Sequence, residues 1–229
     1  MVITMNEVGL KICKEEINGF ITYIKQQLSP LDDQTLEYYT VIAKQTLFFK
    51  HILNAYPKTY FVKVLISDFF NFILDDINES TRYLYLNERS IIENYIRLIL
   101  KKDEYITHIT SKSFTDLKEQ NKLVLSEAEY GKIINEYKIS CSYIHGGYKL
   151  AGHLVDNFEE CINGVNVITK RNKKSRMKQT LELFKILNKL FIINNLEVVD
   201  NSFHRNKYAL NYLLGKQYPL FLKILKQNT

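Results

Sequence analysis

The chain of 229 residues has no tryptophan, three cysteines, three prolines and eight glycines. Cys13, Cys141 and Cys161 share no short spacing and cannot all pair, so neither a disulfide framework nor a cysteine zinc site is expected. With so little proline and glycine, the chain lacks the punctuation that short strands and tight turns need, which fits long helices with short connections. No run of 18 apolar residues occurs; the strongest runs, 66–74 and 187–193, are short or broken by Asp, Asn and Lys, and no membrane span is expected. The first ten residues hold a glutamate and no basic stretch, so no secretory signal is expected. The reducing cytoplasm is the expected location. There is no Gly-x-x-x-x-Gly-Lys loop and no Gly-x-Gly-x-x-Gly turn, which disfavours P-loop and Rossmann nucleotide chemistry. His51, His108 and His153 are isolated, and the pairs Asp32-Asp33 and Asp75-Asp76 point to different sides of a helix, so neither metal nor cofactor is expected.

What the chain does have is apolar and aromatic: 46% hydrophobic residues, 16 tyrosines and 13 phenylalanines, enough for a sizeable core. Its formal net charge is +6, which is compatible with a polyanionic partner such as RNA.

Apolar residues recur at helical spacing almost throughout. Helices are expected over 6–28, 31–55, 58–78 and 80–102, the second opened by Ser29-Pro30-Leu31-Asp32 with Ser29 as its cap. A polar connection over 103–123 has room for a short helix starting at Ser113. Ser126 and Glu129 form a capping box for a helix that runs to His145 and stops at Gly146-Gly147. Further helices are expected over 148–162, from the basic run 170–178 to Asn195, and over 206–226 with a break at Pro219; 165–169 is the one strand-like patch. The fold class is therefore all-α, an antiparallel helical bundle of about seven to nine helices in a single domain.

Two segments stand out chemically. Arg89, Glu93 and Arg97 are spaced i, i+4, i+8 and form one stripe, surrounded by Ile91, Ile92, Tyr95, Ile96 and Ile99. Such a stripe is either a solvated ion-pair face or, given its apolar flanks, a partly buried polar group with partners. Lys138, Cys141, Ser142 and His145 share a face of the later helix, with His145 at its C-terminal end. A histidine there either caps the last carbonyls or works as an acid/base group.

The order Arg-Ser-Ile-Ile-Glu-Asn-Tyr (89–95), then a helix end Ser-Tyr-Ile-His-Gly (142–146), resembles the HEPN superfamily, compact helical bundles common in bacterial toxin and anti-phage systems. The resemblance implies a HEPN-like core over about 31–165 with a helical extension over 166–229. If the chain is catalytic, it implies a metal-independent endoribonuclease acting on RNA. His145 would be the acid/base, Lys138 the phosphate-binding cation, Arg89 and Glu93 positioning groups and Ser142 a hydrogen-bonding neighbour. A homodimer, or a partner protein from the same operon, would complete the site. The chain departs from the nuclease motif: none of its five histidines has an arginine with four to six residues between, and Lys138, with six residues between it and His145, stands there instead. Lysine supplies charge but not the guanidinium fork. The alternative is a non-catalytic helical interaction module, an adaptor or immunity component, in which Arg89, Glu93 and His145 form a packing network.

Lys170, Arg171, Lys173, Lys174 and Arg176 are candidate nucleic-acid contacts, since cations at a helix start oppose the dipole and suit a partner. The bland reading is a solvated helix start. A DNA-binding regulator is disfavoured, because the basic cluster is single and no helix-turn-helix stands out.

Overall fold

Short polar side chains start the helices close to where the sequence places them. The computed structural model describes residues 5–28, 31–56, 59–102, 108–145, 153–155 and 170–228, with backbone alone for 170–172, 227 and 228. The described residues are helical and contain no strand. In chain order the helices are α1 (Met5–Gln27), α2 (Asp33–Leu53), α3 (Thr59–Ile77), α4 (Thr81–Ile99), α5 (Ser111–Gln120) and α6 (Glu127–Ile144). There follow α7 (Lys170–Asn194), α8 (Leu196–Ser202), α9 (Lys207–Leu214), a 3-10 turn at Gly215–Gln217 and α10 (Tyr218–Asn228). Apart from 153–155, the helix expected over 148–162 lies outside the described residues, as does the patch 165–169.

The cap of α2 is Asp32 rather than Ser29: its carboxylate accepts the Thr35 N–H at 2.7 Å. The capping box of α6 forms as expected, with Glu129 N–H to Ser126 Oγ at 3.3 Å and Ser126 N–H to Glu129 Oε2 at 3.0 Å. The helix in the polar connection begins before Ser113, whose hydroxyl instead accepts the Thr110 N–H at 3.3 Å. The C-terminal pair breaks at Gly215 (φ 51°), not at Pro219. Pro219 sits in the first turn of α10, where its missing N–H costs nothing.

Both α3 and α4 end in a left-handed residue that is not glycine, Glu79 (φ 54°) and Lys101 (φ 51°). Each closes a Schellman turn: Ser80 N–H reaches Asp75 O and Lys102 N–H reaches Arg97 O, both at 2.9 Å.

The helix α4 is the hub, in contact with α3, α5, α6 and α7. Tyr95 on it meets Phe49 of α2 edge to face at 5.4 Å, and Phe49 meets Phe191 of α7 at 4.9 Å. Phe69 of α3 meets Phe184 of α7 at 5.4 Å. Such pairs each add about 0.5–1.5 kcal/mol beyond area burial. The segment expected as an extension, 166–229, thus supplies Phe184, Leu187, Phe191, Phe203 and Phe221 to the same core as α2–α4. Among the described residues no helix is long and apolar enough to cross a membrane.

Candidate functional site

The helices α4 and α6 pack so that the two singled-out segments meet. The end of α6 is fixed on α4 by Tyr143 stacked on Tyr85 at 4.0 Å and by Arg82, whose Nη2 donates to Ile144 O at 3.2 Å. That bond satisfies one of the carbonyls a helix end leaves open. His145 follows as the C-cap, its N–H donating to Cys141 O at 3.0 Å.

At this junction Arg89 Nη1 lies 3.2 Å from His145 Nε2. A guanidinium has donors only, so Nε2 accepts and the ring proton of the neutral imidazole sits on Nδ1. Arg89 is itself held by Glu93, Nε to Oε1 at 2.9 Å. The other oxygen of Glu93 accepts Arg97 Nη2 at 3.0 Å, so one carboxylate ties both arginines. Tyr137 of α6 donates to Glu93 Oε1 at 3.0 Å, and its ring lies 5.5 Å from the Arg89 guanidinium. Burial, with the Glu93 carboxylate beside it, pushes the Tyr137 phenol up to about 12.

The network deepens away from His145. Arg97 Nη1 donates to Asn94 Oδ1 at 2.9 Å, and Asn94 Nδ2 donates to Asp68 Oδ2 at 2.8 Å. Ser90 Oγ donates to the same Asp68 oxygen at 2.7 Å. Burial raises the Asp68 carboxyl above its usual range, against the two hydrogen bonds that lower it. Side-chain exposure falls from 28% at Arg89 to 15% at Glu93 and 9% at Arg97, so the stripe is a partly buried network, not a solvated face. His145 is exposed at its open end.

The remaining expected residues divide. Ser142 turns to its own helix, Oγ donating to Ile139 O at 2.7 Å. Lys138 is exposed, and among the described residues no hydrogen bond or ion pair joins it to Arg89, Glu93 or His145; Tyr137 beside it reaches the cluster instead. The basic run forms the start of α7, as expected. Arg176 is buried against Asp76, which also accepts Tyr39 OH at 2.8 Å, so it is no surface contact for a nucleic acid. Lys173 lies 4.0 Å from the same Asp76 carboxylate, and Lys174 is 3.8 Å from Asp32. The side chains of Lys170 and Arg171 lie outside the described residues.

Near Arg176 stands a second polar group absent from the sequence reading. Glu88 is 1% exposed, and burial, with the Glu136 carboxylate nearby, pushes it up to about 8 against the lowering influence of Arg176. Among the described residues no three His, Cys, Asp or Glu side chains converge as metal ligands do. No protein-family model, curated protein or solved structure matches the chain.

Proposed function

We propose that the chain is a HEPN-like protein of a bacterial defence or toxin system that cleaves RNA without a metal ion, at a site centred on His145. The observation that carries this reading is the 3.2 Å approach of Arg89 to His145. The arginine that the nuclease motif supplies from the histidine's own helix comes here from α4. When RNA enters, Arg89 turns from Nε2 to the phosphate; the freed Nε2 takes the 2′-hydroxyl proton as the oxygen attacks phosphorus, and the imidazolium then protonates the leaving 5′-oxygen. Arg89 stabilises the charge that grows on the phosphoryl oxygens, and Glu93 holds Arg89 in place. Lys138, exposed two turns back on α6, is a second cation for the RNA backbone. A second copy, or a partner protein, would close the exposed side of His145.

The test is purified protein with RNA in the presence of a chelator. Wild type cleaves, and His145→Ala loses about 10²- to 10⁴-fold in rate with an unchanged melting temperature. Intact RNA in both overturns the reading.

The burial of Glu93, Arg97, Asn94 and Asp68 favours a second reading, a non-catalytic interaction module whose polar network fixes the packing of α3, α4 and α6. It expects Glu93→Ala to cost on the order of 1–3 kcal/mol by removing the carboxylate that ties Arg89 to Arg97, and no RNA cleavage from any variant.

A further inference from the structure

A cleft of about 260 Å³ opens where the end of α4 meets the α7–α8 junction. Its wall includes Tyr56, Phe61, Leu98 and Val198, and most of the surface it presents is apolar. Cations gather on it: Arg97, Lys101 and Lys102, with Glu197 the one carboxylate among the described lining residues. Of the singled-out segments, the Arg89–Glu93–Arg97 stripe reaches it through Arg97.

The walls are held by bonds that do not depend on a ligand. Tyr56 OH donates to Leu98 O, and Asn195 Nδ2 donates to Phe191 O at 3.1 Å. Arg97 packs its guanidinium 5.3 Å from the Phe61 ring and is fixed by Glu93 and Asn94. Lys102 is 3.5 Å from Asp116, whereas Lys101 is exposed at the left-handed end of α4. A left-handed backbone favours glycine by about 1 kcal/mol, yet the chain keeps a lysine there. Preformed apolar walls with a few convergent charged groups are what a small-molecule site consists of.

We propose that this cleft binds a small organic anion, a phosphate or carboxylate carried on a flat apolar body. The body lies against the apolar walls and the anion meets Lys101, the exposed cation at the cleft, while Lys102 and Arg97 are paired with Asp116 and Glu93. The volume limits the ligand to about the size of a substituted benzene or a nucleoside monophosphate. Lys101 and Val198 lie outside the Arg89–Glu93–His145 cluster, to which the cleft is joined only through Arg97, so the cleft can be tested apart from the ribonuclease reading.

Calorimetric titration of the full chain with phenyl phosphate, adenosine 5′-monophosphate and 4-hydroxybenzoate tests it, the three probes separating phosphate from carboxylate. At least one is expected to bind one-to-one with Kd below about 1 mM. Lys101→Glu and Val198→Phe, the second narrowing the cleft, each weaken that binding at least about tenfold. Lys11→Glu, a charge reversal on α1, leaves it unchanged, and so does His145→Ala. Circular dichroism on each variant establishes that it is folded. No binding of any probe at about 5 mM, or binding that survives both cleft substitutions in folded protein, overturns the proposal.

Discussion

Glu88 is a buried carboxyl whose ionisation is coupled to folding. Its pKa is about 8 in the fold, where burial penalises the charged form, and near the ordinary 4.5 in the unfolded chain. The folded state therefore holds the proton over a window in which the unfolded state has released it. Its stabilising contribution is complete below pH 4.5 and is lost as pH rises to about 8, at up to about 1.4 kcal/mol per pH unit. Denaturant unfolding of wild type and Glu88→Gln at pH 5 and pH 8 checks this. Wild type is expected to lose more stability between the two values than the glutamine variant, and parallel losses would show that Glu88 ionises as readily in the fold as in the unfolded chain. The neighbouring Glu136 and Asp68 carboxyls are raised in the same sense but are common to both proteins, so the difference isolates Glu88. Helical spacing places Glu88 with Leu84, Ile91, Ile92 and Tyr95 on the apolar face of α4, a sign of burial that the neighbouring Arg89–Glu93–Arg97 stripe overshadows. Asp68 carried a better sign, a lone acid in the apolar stretch 64–70, and it proves to anchor Ser90 and Asn94.

At the level of the helices, the Schellman turns at Glu79 and Lys101 trade backbone comfort for a charged side chain. Glu79 is exposed, so Glu79→Gly is expected to stabilise the fold by about 0.5 kcal/mol through relief of the left-handed strain. Glu79→Ala keeps the strain and is the control; if glycine and alanine melt together, strain is not the cause. The same local chemistry explains why the helices were legible. Helix starts depend on one or two residues, and Ser126 with Glu129 is a local pair that sequence spacing displays. Ends are less local. The break at Gly215 and the short α8 follow from the need to turn Phe203 and Phe221 back into the core, which no window of sequence records. The site was legible to the same extent. The stripe Arg89–Glu93–Arg97 and the helix end at His145 are local patterns, whereas their meeting depends on α4 packing against α6. Tyr137 and Lys138 are adjacent in sequence, yet one residue of helix rotation, about 100°, separates the group that reaches Glu93 from one that faces solvent.

For the whole molecule, the decisive relation is between α7 and the rest. Phe184, Leu187 and Phe191 are fully buried against Phe49, Phe69 and Tyr95, so the rings contributed by residues before 166 lack a wall without them. Burial of each such side chain is worth about 1.5–3 kcal/mol, and a domain of this kind retains only about 5–15 kcal/mol in total. Removing several at once exceeds that margin. A chain cut to residues 1–165 is therefore expected to lose its near-ultraviolet circular dichroism and cooperative melting while keeping part of its helical signal. Cooperative melting of the truncated chain would show that α1–α6 form a unit of their own, with α7–α10 an appendage. The distinction bears on function, because α4 carries Arg89 and Glu93 toward α6 on one side and packs on α7 along another. A site built on a helix that is braced from both sides is held by the entire core, so changes deep in α7 are expected to reach His145 through α4 rather than through any direct contact.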